Sequence, residues 1–249
     1  MCLILLAWRA HPVYALVAAA NRDEFYRRRS APLSVWPTEP AVFAGRDLAA
    51  GGTWLGVTRA GRFAAVTNIR EPGRSVARAR SRGELVTNFL VSQDSPQVHL
   101  ADVPGKAYNG FNLLAADRDE LWWYSNRDGD PQRVEPGLHG VSNALLDTPW
   151  PKVTGGVAEL ARVLDADDGT TEPDAYLAIL ADRQRAADRD LPKAGVPHRF
   201  ERALSARFVT TPGYGTRVST VLRIRHDGSF DITERTFGRR RTGTVTLTG

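Results

Sequence analysis

Cysteine is almost absent from this chain: one residue in 249, Cys2, carries a thiol. A lone cysteine excludes an internal disulfide framework and a cysteine-rich zinc site, and leaves thiol chemistry or simple burial. The five histidines (His11, His99, His139, His198 and His226) show no metal-ligand spacing and mostly fall in turn-like stretches, so no resident metal is expected. Neither a glycine-rich nucleotide loop nor a Gly-x-Ser-x-Gly elbow is present. Long apolar runs are missing too. The first, residues 3–8, is too short to cross a membrane and lacks the charged start of a signal peptide, so a cytoplasmic protein without a transmembrane segment is expected. Arginine supplies nearly all the positive charge, in clusters at 27–29, 70–82 and 239–241. With 33 basic residues against 28 acidic ones the net charge is only +5, and no helix stripe interleaved with aromatics accompanies it, which argues against a nucleic-acid partner. No linker, fixed-period repeat or low-complexity tract divides the chain, and residues 1–249 read as one domain.

What is present is concentrated at the start. Two runs rich in β-formers flank Arg9-Ala10-His11-Pro12 and read as a β-hairpin turning near His11; the second run ends in Asn21-Arg22-Asp23-Glu24. Pairing about that turn sets Cys2 opposite roughly Ala20 and brings Asn21 and Asp23 beside the N-terminus, on a shared face if the strand continues to Asp23. Removal of Met1, which a small second side chain permits, would give Cys2 both a thiol and a free α-amine, with ordinary pKa values of about 8.5 and about 8. The amine could then act as base for the thiol. A carboxylate such as Asp23 suits the task of orienting that amine, and an amide such as Asn21 suits a developing oxyanion. The residues also admit a plainer reading, in which Cys2 is a buried small hydrophobe and the polar quartet is a strand end.

Further along, a proline-punctuated loop is expected through Pro32, Pro37 and Pro40. A second hairpin follows over 51–68, with Trp54 behind two glycines and Asn68 at its end. Ser81 and Glu84 stand at capping-box spacing before a helix through Leu85, Val86, Phe89 and Leu90. Strands are expected at 111–116 and 121–124, where Trp122 and Trp123 must face opposite ways. A short strand ending in Asn143 precedes helices from about Lys152 to Leu164 and from Pro173 to Ala181. The charged stretch 182–197 is the candidate flap. Strands return at 207–210, 216–225 and 230–237. Tyr214 falls in a glycine turn, and Arg217 stands at a strand mouth, placed either to clamp a carboxylate or phosphate or to form a surface ion pair.

Several of these stretches carry a resemblance. Met1-Cys2, Asn21-Arg22-Asp23-Glu24-Phe25-Tyr26, residues 51–56, Arg82-Gly83-Glu84-Leu85-Val86, Tyr108-Asn109-Gly110-Phe111-Asn112-Leu113, Ser142-Asn143-Ala144-Leu145-Leu146, Thr148-Pro149-Trp150 and Tyr214-Gly215-Thr216-Arg217 resemble, in order, the motifs of the NRDE family, the Transport and Golgi organisation protein 2 homologues. More distantly, that family is similar to cysteine N-terminal-nucleophile (Ntn) hydrolases such as choloylglycine hydrolases and penicillin V acylases. The resemblance implies an α+β fold of αββα type, a four-layer sandwich of two antiparallel sheets between helical layers. It implies Cys2 as nucleophile with its amine as base, Asp23 as the orienting acid, Asn68 and Asn143 flanking the oxyanion site, and Arg217 as a charge-stabilising arginine. Arg22, Trp54 and Tyr214 are expected to border the substrate. Those hydrolases place an arginine just before the Asn-x-Asp element, where this chain has Ala20, which leaves Arg22 or Arg217 to replace it. The implied activity is hydrolysis of a linear amide, ester or thioester bond in a small acylated substrate, with no required cofactor. The rival implication is a non-enzymatic carrier that holds haem or an acyl-CoA in the same cleft, because relatives are linked to haem mobilisation and lipid metabolism.

Overall fold

The computed structural model describes residues 2–74, 76–77, 79–238 and 242–249; Met1, Ser75, Arg78 and the arginine cluster at 239–241 lie outside the described residues. The first hairpin forms as its pattern dictates. Strands β1 (Cys2–Trp8) and β2 (Tyr14–Phe25) pair antiparallel, with Leu3, Leu5 and Ala7 facing one way and Ile4, Leu6 and Trp8 the other. Both faces are apolar because both are covered. The register differs from the expected one: Ile4, not Cys2, faces Ala20, and Cys2 faces Arg22. The turn is centred one residue later than expected, and His11 shapes it by accepting the N–H groups of Val13 and Tyr14 at its Nδ1.

The loop expected through Pro32, Pro37 and Pro40 is confined to 37–41, and it joins two strands, β3 (Ser30–Trp36), which contains Pro32, and β4 (Val42–Asp47). Pro32 is tolerated because β3 is an edge strand and its pairing with β4 is irregular between Ala31 and Ser34, so no ladder bond needs the missing N–H. Then follow β5 (Leu55–Thr58), β6 (Phe63–Asn68), α1 (Gly83–Val91), α2 (Pro96–Ala101), β7 (Phe111–Ala116), β8 (Leu121–Ser125), β9 (Gln132–Arg133) and β10 (Gly137–Val141). The rest comprises α3 (Pro151–Asp165), α4 (Pro173–Leu180), α5 (His198–Leu204), β11 (Thr210–Thr211), β12 (Tyr214–Arg225), β13 (Phe230–Phe237) and β14 (Thr242–Thr248).

The described strands form two antiparallel sheets. One runs β10-β1-β2-β12-β13-β14 with β11 attached to β12; the other runs β3 to β9 in chain order. Helices α1 and α2 bury Leu85, Val86, Phe89, Leu90 and Leu100 on the outer face of the second sheet, while α3 and α4 bury Val153, Leu160, Leu164, Tyr176 and Leu180 on the first. Between the sheets lie Ile4, Leu6, Trp8, Phe43, Phe63, Leu222 and Ile232. This is the αββα sandwich, α+β in class. Trp123 turns into the inter-sheet core and Trp122 toward the helical side, so both rings pack rather than border a cleft. Helix α1 starts without the expected capping box. Arg82 occupies the N-cap with no side-chain bond, and the Glu84 carboxylate is taken by the Tyr108 hydroxyl at 2.6 Å and by Arg80. The stretch expected as a flap is tied down, Ala186 N–H to Ser205 Oγ and Ala194 N–H to Glu201 Oε1, each 2.9 Å. Among the described residues, no helix is long and apolar enough to cross a membrane.

Candidate active site at the cleft between the sheets

Alternation along β2 divides Asn21-Arg22-Asp23 between two faces. Cys2 and Arg22 are cross-strand partners and share the inter-sheet side, whereas Asn21 and Asp23 turn toward the helix-covered side. Where the sheets part, a cleft of about 400 Å³ opens, bordered by Cys2, Arg22, Trp54, Asn68 and Arg82. The Arg22 guanidinium lies over the Trp54 ring at 4.5 Å and donates to Asp47 Oδ2 at 3.0 Å, an oxygen that Arg28 also takes at 2.7 Å. Arg22 is only 5% exposed, yet its Nη1 has no partner among the described residues. Two glycines make this geometry attainable. A Cβ on Gly45 would stand 2.5 Å from the Trp54 ring, and one on Gly52 would stand 2.4 Å from the Gly83 carbonyl, so Trp54 and the start of α1 can close on the cleft only over bare backbone.

Burial pushes the Cys2 thiol above its ordinary range. The Asp23 carboxylate adds to the rise, while Arg22 and a hydrogen bond from the Asp23 N–H act the other way. The backbone around the thiol is stitched from three segments. The Ser142 hydroxyl donates to the Cys2 carbonyl at 2.8 Å, and Asn143 Nδ2 donates to the Asn68 carbonyl at 2.8 Å. Asn68 borders the cleft, and its side-chain amide engages no other described residue, which leaves it able to donate to a ligand oxygen.

On the far side of β2 the Asp23 carboxylate is buried, and its Oδ1 accepts the Thr216 hydroxyl at 2.6 Å. Thr216 is the cross-strand partner of Asp23 on β12, and its own oxygen accepts the Val209 N–H. The Tyr214 hydroxyl donates to the Asp23 carbonyl at 2.9 Å. Burial raises the Asp23 pKa, opposed chiefly by Lys152, with the Thr216 bond acting in the same direction as Lys152. Lys152 is itself 4% exposed, and burial pulls its pKa down to about 8 against the field of Asp23. Beside it Arg70 meets Glu201 at 2.6 Å and lies over the Trp150 ring at 4.9 Å. Thr216, Ser142, Arg70, Glu201 and Lys152 were not legible as site residues in the sequence. One signal did exist for Lys152: a cation in the first turn of α3 runs against the helix dipole and asks for a local anion.

The structure thus gathers Cys2, Arg22, Asp23, Trp54 and Asn68, and places the other expected residues differently. Asn21 is not brought to the thiol. Its Nδ2 donates to the carbonyls of Leu180 and Arg207 at 2.9 and 2.8 Å, and its Oδ1 accepts the Ser219 hydroxyl, so both amide hydrogens are spent on the helical side. Asn143 does not border the cleft but supports Asn68 from behind, and Tyr214 supports Asp23 in the same way. Arg217 is diverted by a β-bulge. Pairing passes from Thr216 opposite Asp23 to Val218 opposite Arg22, so Arg217 is the unpaired extra residue. Its Nη1 donates to the carbonyls of Phe25, Tyr26 and Arg28, and it borders a different cleft. Among the described residues, no group of three or more His, Cys, Asp or Glu side chains could hold a metal ion.

Comparisons with known proteins agree with this architecture. Residues 1–239 match the family Transport and Golgi organisation 2. The human Transport and Golgi organization protein 2 homolog is 36% identical over 257 residues, and the bovine homolog 38% over 261, each alignment covering 94% of this chain and 92% of the relative. Among solved structures, a mutant of the conjugated bile acid hydrolase from Clostridium perfringens superposes with a TM-score of 0.54 at 9% identity, covering 99% of this chain and 92% of the other. The Caenorhabditis elegans ortholog of N-acylethanolamine-hydrolyzing acid amidase gives 0.51 at 11%, covering 89% and 92%. At such identities the likeness is one of fold, and the fold is that of the Ntn hydrolases. By the extent and identity of the sequence matches, the chain belongs to the Transport and Golgi organisation 2 family.

Proposed function

We propose that this protein is a cysteine hydrolase of the N-terminal-nucleophile type, cleaving a linear amide, ester or thioester bond in a small acylated substrate. The observation that carries the reading is the place of Cys2. The chain's one thiol borders the inter-sheet cleft with the Asp23 N–H on its sulfur, in a fold shared with an amidase and a bile acid hydrolase. A buried thiol of raised pKa is a poor nucleophile alone, so the reaction needs a base at hand. Once Met1 is removed, the α-amine of Cys2 takes the thiol proton. The thiolate adds to the scissile carbonyl carbon, and the Asn68 amide meets the negative charge that develops on the carbonyl oxygen. Collapse breaks the bond to the leaving group, which departs with the proton from the amine. Water, deprotonated by the same amine, then hydrolyses the acyl thioester on Cys2. Asp23, fixed by Thr216 and faced by Lys152, orients the ammonium.

Intact mass before and after a cysteine-directed alkylating probe, followed by turnover of a panel of N-acyl amides and acyl thioesters, tests this reading. Loss of Met1, a single label on Cys2 and no turnover by Cys2→Ala are expected. A retained Met1 with an inert Cys2, or full turnover by Cys2→Ala, would sink it.

A second reading draws on the arginines. Arg22, Arg28, Arg80 and Arg82 border the cleft, and the Arg22 guanidinium over Trp54 keeps a buried Nη1 with no partner among the described residues, which suits the anionic end of haem or an acyl-CoA carried through the cytoplasm. Saturable binding of either ligand that survives Cys2→Ser, with no turnover of the panel, would favour carriage.

A further inference from the structure

A larger cleft, of about 750 Å³, lies beside the bulge in β12. Arg27, Arg183 and Arg217 border it together with Tyr26, Phe208 and Phe237, and none of the described residues that line it is acidic. These arginines come from three separate parts of the chain, and among the described residues none of them makes an ion pair. The first cleft is different. There Arg22 and Arg28 share Asp47, and Arg80 pairs with Glu84. Even Asp182, the chain neighbour of Arg183, turns away to bind Arg207.

Donors remain on these arginines. Arg217 spends Nη1 on three carbonyls, at 3.1, 3.2 and 2.9 Å, while its Nε and Nη2 meet no described residue. Arg183 touches Thr210 Oγ1 at 3.4 Å and lies over the Phe208 ring at 4.5 Å, and Phe208 packs edge-on against Phe237 at 4.9 Å. Glu24 is the acidic group whose field reaches Arg217, yet it forms no ion pair with it, so an anion entering the cleft meets guanidinium groups that no described carboxylate has paired. Guanidinium forks match the paired oxygens of a phosphate, and neighbouring rings offer apolar, planar surface to the body that carries it. The volume is that of an ordinary small-molecule site.

We infer that this cleft binds an organic phosphate, with the phosphate among Arg27, Arg183 and Arg217 and a flat or apolar body against Phe208 and Phe237. The site is independent of the thiol. The test is titration of the whole chain with ADP, with adenosine, and with phosphatidylcholine vesicles containing phosphatidic acid. The proteins are wild type, Cys2→Ala, and the double variant Arg27→Ala, Arg183→Ala, whose two positions are exposed and whose fold is checked by circular dichroism. Saturable binding of ADP or of the vesicles is expected, weakened about tenfold or more in the double variant and unchanged by Cys2→Ala, with adenosine unbound. Binding of ADP alone identifies a free organic phosphate as the ligand, and binding of vesicles alone a lipid headgroup. No saturable binding of either probe, or binding that the double variant leaves intact, overturns the proposal.

Discussion

The two faces of β2 at residues 21–24 differ in how their polar groups are used. On the inter-sheet face Cys2 and Arg22 reach a cleft with a donor group still unspent; on the helical face both hydrogens of the Asn21 amide are taken, and Asp23 accepts from Thr216. The period of two makes the division unavoidable, since consecutive residues of an extended strand cannot share a face. One short motif thus presents a cleft-facing pair on one side and a hydrogen-bonded support on the other, and the proposed reaction belongs to the first. Perturbing each side separately should therefore give separable losses. On the proposed mechanism Cys2→Ala removes the nucleophile and is expected to lower turnover about a thousandfold or more, with a thermal melt little changed because only one sulfur atom is lost at the edge of the cleft.

Asn21→Ala breaks the supporting face. It strands the Leu180 and Arg207 carbonyls and the Ser219 hydroxyl in a buried place, which should cost about 3 kcal/mol in urea unfolding while the folded fraction keeps its turnover. Turnover lost at full stability would return Asn21 to the oxyanion site.

Glu234→Gln sharpens the comparison on the inter-sheet side. Glu234 is 2% exposed, and its Oε1 accepts the Leu33 N–H at 2.7 Å, tying β13 to β3. Burial raises its carboxyl from the ordinary value to about 7, with the Leu33 bond and Arg22 opposing. The folded state therefore holds a proton that the unfolded chain releases above about pH 4.5, and the group's contribution to stability falls as pH rises from there through 7. Glutamine keeps the acceptor and removes the charge. Unfolding measured across pH 4.5 to 8 should show the variant gaining on wild type by about 3 kcal/mol. A constant difference across that range would mean the carboxyl does not titrate there.

The layering was legible because its signal is local. Continuous apolar runs in β1 and β2 name two faces that must be covered, and the 3.6-residue pattern in α1 and α3 names one. The strand β3 was hidden by Pro32, whose tolerance depends on an edge position that only the assembled sheet reveals. Of the site, Cys2, Arg22, Asp23, Trp54 and Asn68 could be anticipated from spacing and resemblance. The bulge at Arg217 and the amide bonds of Asn21 could not, because each depends on pairing between segments nearly two hundred residues apart. A one-residue irregularity in such pairing redirects a side chain altogether.

Ser142→Ala should give the smallest effect and is informative because Ser142 acts on the backbone that both faces share. Its hydroxyl donates to the Cys2 carbonyl at 2.8 Å and stands 3.2 Å from Asn143 Oδ1, so it ties the start of β1 to the segment that supports Asn68. Losing one such bond should cost about 1 kcal/mol of stability. If the same bond also fixes the sulfur against the Asn68 amide, turnover should fall about fivefold as well, since small displacements of reacting groups carry large rate costs. Ser142→Thr retains the hydroxyl and should recover most of both losses. A loss of stability in Ser142→Ala with turnover untouched would show that the cleft holds Cys2 without help from this residue.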